Sequence, residues 1–371
     1  MGLSFFNGNR TSNSGFIHSQ LNVYFCPRMK AKHFLFLFLL LGLGACEKDF
    51  DITADYREIP VVYALLNANE TTHYVRIQKG YLIDGNAYAG AASPDSIYYS
   101  DSLFVQIKTL PNGATYTLEK VDGNLIGLPK DPGSFSNQPN ILYRFNANLD
   151  PTRSYQLVVK NTSNGKEFSA TTTLVNGFTV ITPYSGQKLP LLTTNPPKLT
   201  FYTAQNAGVY DMRVRFPYKE YDGSTNALLK DTFEDVYLLR SSLIDFGGVP
   251  SQQIIEFNAI YLMNSLQHHL TKSSTIYRMY NQQKGLTFFY AAGGDELAKF
   301  TNSQLAQANS LASNEALPPY TNVSGGYGIF SSRIYQQVDS VLLNNDAIDS
   351  LACSPLMSGL RFKGAHNQIC E

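Results

Sequence analysis

The sequence predicts a mainly β protein with some α: an N-terminal β-sandwich followed by an α+β domain. Three observations carry this. Segments of five or so residues alternate apolar and polar between Asn-Gly, Asp-Gly and Pro punctuation, the pattern of half-buried strands. Charged residues make up only 16%, while 24 Tyr and 23 Phe are present and Trp is absent, a balance that favours pleated, half-buried surfaces. One stretch in the C-terminal half, Ser251–Leu270, instead repeats apolar residues at helical spacing.

Residues 58–178 read as the sandwich module. Tyr74-Val75-Arg76-Ile77-Gln78 and Leu103-Phe104-Val105-Gln106-Ile107 alternate. Pro111-Asn112-Gly113 and Asp122-Gly123 read as hairpin turns, because Asn-Gly and Asp-Gly tolerate the positive φ of tight turns. Ser163-Asn164-Gly165 separates Tyr155–Val159 from Phe168–Leu174, two further strands. Short strands at this spacing predict a two-sheet packing.

Leu149-Asp150-Pro151-Thr152-Arg153-Ser154-Tyr155 resembles the Leu-x-Pro-x-x-x-Tyr signature of fibronectin type III domains, ahead of the alternating run Tyr155–Val159. The resemblance implies an immunoglobulin- or fibronectin-like sandwich. It also implies a tyrosine corner, in which the Tyr155 hydroxyl binds backbone just upstream. The family's usual Gly after the Pro is Thr152 here, so the match is partial.

Residues 179–371 read as the α+β domain. Thr182–Pro197, rich in Pro, Ser and Thr, reads as a linker or an extended crossing strand. Tyr210, Met212, Val214, Phe216 and Tyr218 alternate with Asp211, Arg213, Arg215 and Lys219, a strand with one buried face. Val236–Leu239 and Leu286–Ala291 are further strands. Ser251–Leu270 reads as a helix, since Ile255, Ala259, Leu262, Leu266 and Leu270 form a stripe. A second helix is expected from Asp295 to Ala312, and a short last one near Asp346–Ala352. No internal repeat is visible.

The N-terminus carries the most definite chemistry. Phe34–Ala45 is a greasy run of twelve apolar or small residues, followed at once by Cys46, so that Phe34–Cys46 ends in Leu43-Gly44-Ala45-Cys46. It is too short to span a bilayer, which takes about 20 residues. It suits the apolar centre of a signal peptide, with Lys30 and Lys32 as the positive lead. Leu-Gly-Ala-Cys resembles the lipobox of bacterial lipoproteins. The resemblance implies cleavage between Ala45 and Cys46 and lipidation of Cys46 by acyl chains such as palmitate, each buried methylene adding about 0.8 kcal/mol of membrane affinity. The expected organisation is therefore residues 1–28 as a mis-annotated upstream extension, 29–45 as the signal peptide and 46–57 as a tether.

Removing residues 1–45 takes away four of the 29 basic residues (Arg10, Arg28, Lys30, Lys32) and none of the 29 acidic ones, leaving a net charge of 25 − 29 = −4. That balance argues against a nucleic-acid partner, which needs a basic face. Cys353 and Cys370 remain as an even pair near the C-terminus. In an oxidising compartment they read as a disulfide closing a loop of 18 residues, with two free thiols as the alternative.

Candidate chemistry elsewhere is sparse. His268-His269 is the one His cluster, but helix neighbours point about 100° apart, and His269 falls on the apolar stripe as a partly buried core histidine. Gly325-Gly326-Tyr327-Gly328 lacks the Gly-Lys-Ser/Thr ending of a phosphate loop and reads as a tight turn into a buried strand. Glu234-Asp235 and Asp295-Glu296 are paired carboxylates, but sequence neighbours seldom face one substrate, since a catalytic carboxylate pair is set by tertiary distance. Neither Gly-x-Ser-x-Gly nor His-Glu-x-x-His occurs. No metal or cofactor is expected. The abundant aromatics allow a glycan platform, although most have the spacing of core residues.

Pro319-Tyr320-Thr321-Asn322-Val323-Ser324-Gly325-Gly326-Tyr327-Gly328-Ile329-Phe330-Ser331-Ser332-Arg333 resembles a Tyr-Thr-Asn-Ile…Gly-x-Gly-Ile-Phe-Ser-Ser-Arg block of uncharacterised Bacteroidota outer-membrane lipoproteins encoded beside TonB-dependent receptors. Glu47-Lys48-Asp49-Phe50-Asp51 resembles their acidic surface-export signal. The resemblance implies a protein on the outer membrane, cell-surface facing, with the periplasmic face as the alternative. It implies a TonB-dependent receptor as partner and supplies no catalytic residues. The expected function is non-enzymatic binding of a ligand or protein partner. The alternatives are a glycan- or peptide-binding module for nutrient uptake, or a hydrolase.

Cys46→Ser is expected to abolish incorporation of radiolabelled palmitate and to release the protein from membranes. Label entering the variant would refute lipidation at Cys46.

Overall fold

The computed structural model describes residues 59–80, 87–243, 250–309 and 320–370. Ala45, Cys46, the signal segment and the tether lie outside the described residues. The architecture is mainly β with some α.

The first strands follow the period-2 pattern closely. β1 (Pro60–Leu66) turns Val62, Ala64 and Leu66 inward, and β2 (Thr72–Lys79) turns His73, Val75 and Ile77 inward. Two short helices, α1 (Ala87–Ala92) and α2 (Pro94–Ile97), follow. β3 (Leu103–Leu110) and β4 (Thr115–Thr117) form the hairpin predicted at Asn112-Gly113, with Asn112 at φ 53°.

Asp122-Gly123 behaves differently from the predicted hairpin. β5 (Glu119–Asp122) does pair with β6 (Ile141–Asn146), but residues 123–140 intervene. The Asp122 carboxylate accepts from the Asn124 N–H and caps a 3₁₀ turn, Gly123–Ile126, and it also accepts from the Asn140 N–H. Side-chain capping outcompeted the two-residue turn here.

β7 (Ser154–Asn161) and β8 (Glu167–Thr173) pair across Gly165, whose φ of 72° needs a residue without Cβ strain. At the start of β7, Tyr155 is 1% exposed. Its hydroxyl accepts from the Asp150 N–H at 2.8 Å and donates to the Asp150 carbonyl at 3.3 Å. The predicted corner is thus present.

The strands of the second region are longer. β9 (Thr179–Thr182) ends where the Pro-rich stretch begins, β10 (Lys188–Leu189) lies within it and β11 (Lys198–Tyr202) follows it. β12 (Ala207–Asp222) and β13 (Leu228–Leu243), 16 residues each, form a long hairpin. The helix expected over Ser251–Leu270 splits. Gln252–Glu256 is β14, an edge partner of β11, and the helix α3 is Ala259–His269. Asn258 caps α3 by accepting from the Tyr261 N–H, which sets its start. A run such as Gln253-Ile254-Ile255 suits either state, and pairing with β11 decided it.

β15 (Ile276–Tyr280) and β16 (Leu286–Gly294) lead into α4 (Asp295–Asn309). β17 (Val323–Ser324) turns through Gly325-Gly326 into β18 (Tyr327–Leu343), and α5 (Asn345–Cys353) follows, capped by Asn344. Cys353 at its end is bonded to Cys370, with Cα atoms 4.7 Å apart.

Two sheets enclose the first core: β1-β2-β6-β5 on one side and β17-β8-β7-β3-β4 on the other. Val62, Leu66, Ile77, Ile107, Leu157 and Val159 fill the space between them. A second core begins at Val175 and holds Met212, Val214, Phe216, Phe288, Leu262 and Leu351.

β18 belongs to both. Its first residues run parallel to β1, from Val61 opposite Tyr327 to Leu66 opposite Ser332. Its later residues run antiparallel to β16. Phe330 packs in the first core, and Ile334, Val341 and Leu343 pack in the second. The ranges 58–178 and 179–371, expected in succession, are interleaved at this strand.

Gly328 makes the junction possible. Its φ is 96°, and a Cβ there would stand 1.9 Å from the Val62 carbonyl oxygen. The predicted tight turn is real, but the closer constraint is backbone contact with β1. Gly328→Ala is expected to cost on the order of 3 kcal/mol or more, from the unfavourable φ plus forced separation of β1 and β18. Urea unfolding measures it, and a variant within 1 kcal/mol of wild type would contradict this role.

Candidate functional site

The large sheet places β13, β12, β16 and β18 side by side. One face of β12 carries Tyr210, Met212, Val214, Phe216 and Tyr218 into the core, all nearly inaccessible. The opposite face carries Asp211, Arg213 and Arg215, as the alternation predicts. Register then decides what they meet. Arg213 lies opposite Tyr237 on β13 and Phe289 on β16, and Phe289 lies opposite Gln337 on β18. One row along, Asp211 faces Ala291, and Ala291 faces Tyr335. Gly293 faces Arg333.

Helix α4 lies against the upper part of this face. A Cβ on Gly293 would be 2.6 Å from a Leu297 methyl, so the glycine lets the helix approach, and the Ser331 hydroxyl accepts from the Leu297 N–H. Below it, Asp211, Arg213, Tyr237, Phe289, Ala291, Arg333, Tyr335 and Gln337 line an open groove of about 380 Å³.

Guanidinium groups and rings interleave across the groove and its margin. Arg213 sits 4.4 Å from the Phe289 ring centre, and Arg215 sits 3.7 Å from Phe233 and 5.1 Å from Phe289. Arg240 is 4.1 Å from Tyr237, and Arg333 is 4.7 Å from Tyr335. Each such contact contributes about 0.5–2 kcal/mol, more as water is excluded. Asp235 ties two of the arginines together. It accepts from Arg215 through both oxygens, at 2.8 and 2.9 Å, and from Arg213 at 3.1 Å.

The Arg215 hydrogen bonds hold the Asp235 carboxyl below the usual carboxylate range. The charges of Arg215 and Arg213 act in the same direction, against the effect of burial. Asp235 is thereby kept ionised and engaged, which is poor chemistry for a general base.

Arg333 is different. It is half-buried, and among the described residues its side chain makes neither an ion pair nor a hydrogen bond. Its Nε is shut off from water without an acceptor. Beside it the Tyr335 hydroxyl is raised, first by burial, with the carboxylates of Glu70 and Asp211 adding and Arg333 opposing.

The other candidates do not converge on this groove. His268 and His269 are both exposed at the end of α3. His269 is not the partly buried residue expected, because Leu262, Met263 and Leu266 fill the buried stripe and Leu270, past the helix end, occupies the next place. Glu234 lies near the Tyr218 hydroxyl, away from its neighbour Asp235. Glu296 accepts from the Tyr320 hydroxyl and pairs with Lys299. Among the described residues no group of three His, Cys, Asp or Glu is placed to hold a metal. No described helix is long and apolar enough to cross a membrane.

Most rings are core residues, but Phe233, Tyr237 and Tyr335 are exposed on this face. The signal for them was faint: Arg213-Val214-Arg215 and Arg333-Ile334-Tyr335-Gln336-Gln337 place cations and a ring on alternate positions. In comparison with known proteins, no family model matches the chain and no curated relative is found.

Asp235→Asn is expected to destabilise the protein most above about pH 4. A depressed folded pKa contributes stability that is complete above the unfolded value and fades as pH falls through the folded one. The wild-type minus variant difference should therefore shrink between pH 6 and pH 3 in urea titrations. A difference independent of pH would show that the carboxylate's charge plays no part.

Proposed function

We propose that the protein is a lipid-anchored, non-enzymatic binding protein of the outer-membrane surface. Its arginine–aromatic groove captures a ligand beside a TonB-dependent uptake system. The groove is the observation that supports this most. It is concave, lies within the size range of small-ligand sites, and combines exposed rings with a few directional polar groups. Its framework is preorganised, because Asp235 and Phe289 immobilise Arg213 and Arg215 before any ligand arrives. The Leu-Gly-Ala-Cys46 segment and the resemblance of the Pro319–Arg333 block support the location and the receptor partner.

Thermal-shift screening of the mature chain against oligosaccharides and peptides tests the reading. A ligand at a hundred times its Kd stabilises by about 2.7 kcal/mol, enough to move Tm by several degrees. The shift is expected in wild type and is expected to vanish in Tyr237→Ala/Tyr335→Ala. Ligands that shift both equally would place binding elsewhere and overturn the groove as the site.

A further inference from the structure

Resting on that reading, we propose that the groove recognises an acidic saccharide, a short chain of sugar rings bearing a carboxylate or sulfate, with Arg333 holding the anion.

The groove lining carries two guanidinium groups, Arg213 and Arg333, and one carboxylate, Asp211. Arg213 and Arg215 are both committed to Asp235. Arg333 lines the groove and, among the described residues, has no carboxylate within ion-pair distance and no hydrogen-bond acceptor. A guanidinium partly removed from water, with the Tyr335 ring against it but no carboxylate paired to it, remains unfavourable. An anion entering the groove offsets that cost, and the forked guanidinium matches a carboxylate or sulfate with two parallel bonds.

Shape supplies the saccharide half. Tyr237 stands on β13 and Tyr335 on β18, with β12 and β16 between them. Three strand spacings separate the two strands' backbones by about 14 Å, and the two tyrosines are further offset by one row along the strands. That span suits a short oligosaccharide better than a single ring. Both tyrosines are partly exposed, with Arg240 against one ring and Arg333 against the other, so the uncovered ring surface is what can receive sugar C–H groups. On β18, two residues along from Tyr335 and in the same cross-strand row as Tyr237, the Gln337 amide is placed to bond hydroxyl groups. Gln337 already donates to Asp339 at 2.7 Å, which orients it. A neutral sugar would use the rings and amide and leave Arg333 uncompensated. An acidic one uses all of them.

Isothermal titration calorimetry of the mature chain tests this with four probes. Oligogalacturonate carries carboxylates and chondroitin sulfate oligosaccharides carry sulfates. Malto-oligosaccharides are neutral, and a hexaglutamate peptide is acidic without sugar rings. At least one acidic saccharide is expected to bind, more weakly as salt rises. Arg333→Gln is expected to lose roughly tenfold to a hundredfold in affinity, the range of a charge-assisted hydrogen bond. Arg333→Lys should restore part of it, with melting temperatures showing both variants folded. The stronger of the two acidic saccharides identifies the anion.

Neutral saccharide binding that Arg333→Gln leaves unchanged would overturn the acidic assignment while the groove remains a binding site. Hexaglutamate binding with no saccharide binding would overturn the saccharide. Binding by no probe, or binding indifferent to Tyr237→Ala/Tyr335→Ala, would overturn both this assignment and the groove reading.

Discussion

The parallel pairing of β1 with β18 is the contact on which the rest of the molecule depends. It brings Val62, at the start of the described chain, against Gly328, near its end. The backbones meet so closely there that no side chain fits on residue 328. A parallel pair needs a long crossover rather than a hairpin. In this chain the crossover runs over residues 67–326, 260 of the 371 residues. The first core is closed by Phe330 from a strand that belongs mostly to the second. Two modules that each look separable along the chain are thereby joined through one continuous strand.

That same strand carries the groove. Beyond Ser332, β18 leaves β1 and takes β16 as its neighbour, which aligns Arg333, Tyr335 and Gln337 with Phe289, Arg213 and Tyr237. The face is rigid for physical reasons that can be named. Asp235 satisfies two guanidinium groups, Phe289 supports both from beneath, and the core residues of β12 fix the strand from the other side. α4, docked through Gly293, bounds the upper end. A binding surface built on strands held in this way needs little ordering when a ligand arrives. Arg333, which no carboxylate pairs among the described residues, lies at the same surface.

Several elements were legible residue by residue. The alternation from Tyr210 to Tyr218 gave β12 and both of its faces. Leu149–Tyr155 gave the corner, where a buried hydroxyl needs a backbone partner. Gly325–Gly328 gave the turn. Other segments failed where local rules allow two answers. Ile254 and Ile255 extend a helical stripe as well as they extend a strand, and the free edge of β11 settled the choice. Asp122-Gly123 was as good a cap as a hairpin. His269 sat at a stripe position, yet the helix ended there and Leu270 took the buried place.

By itself the sequence determined the periodicity of most strands, the positions where glycine or a capping Asn is required, the faces that must be buried, and the mainly β class. These follow from interactions within a few residues: the two-residue pleat, the φ of a turn, the reach of a capping side chain. Tertiary structure alone decided that β18 lies between β1 and β16, and hence that Arg213, Phe289, Arg333 and Tyr335 share one surface. Strand order depends on which apolar faces cover one another and which backbones approach closely enough to exchange hydrogen bonds. Those choices are made between segments far apart in the chain, where no local spacing records them.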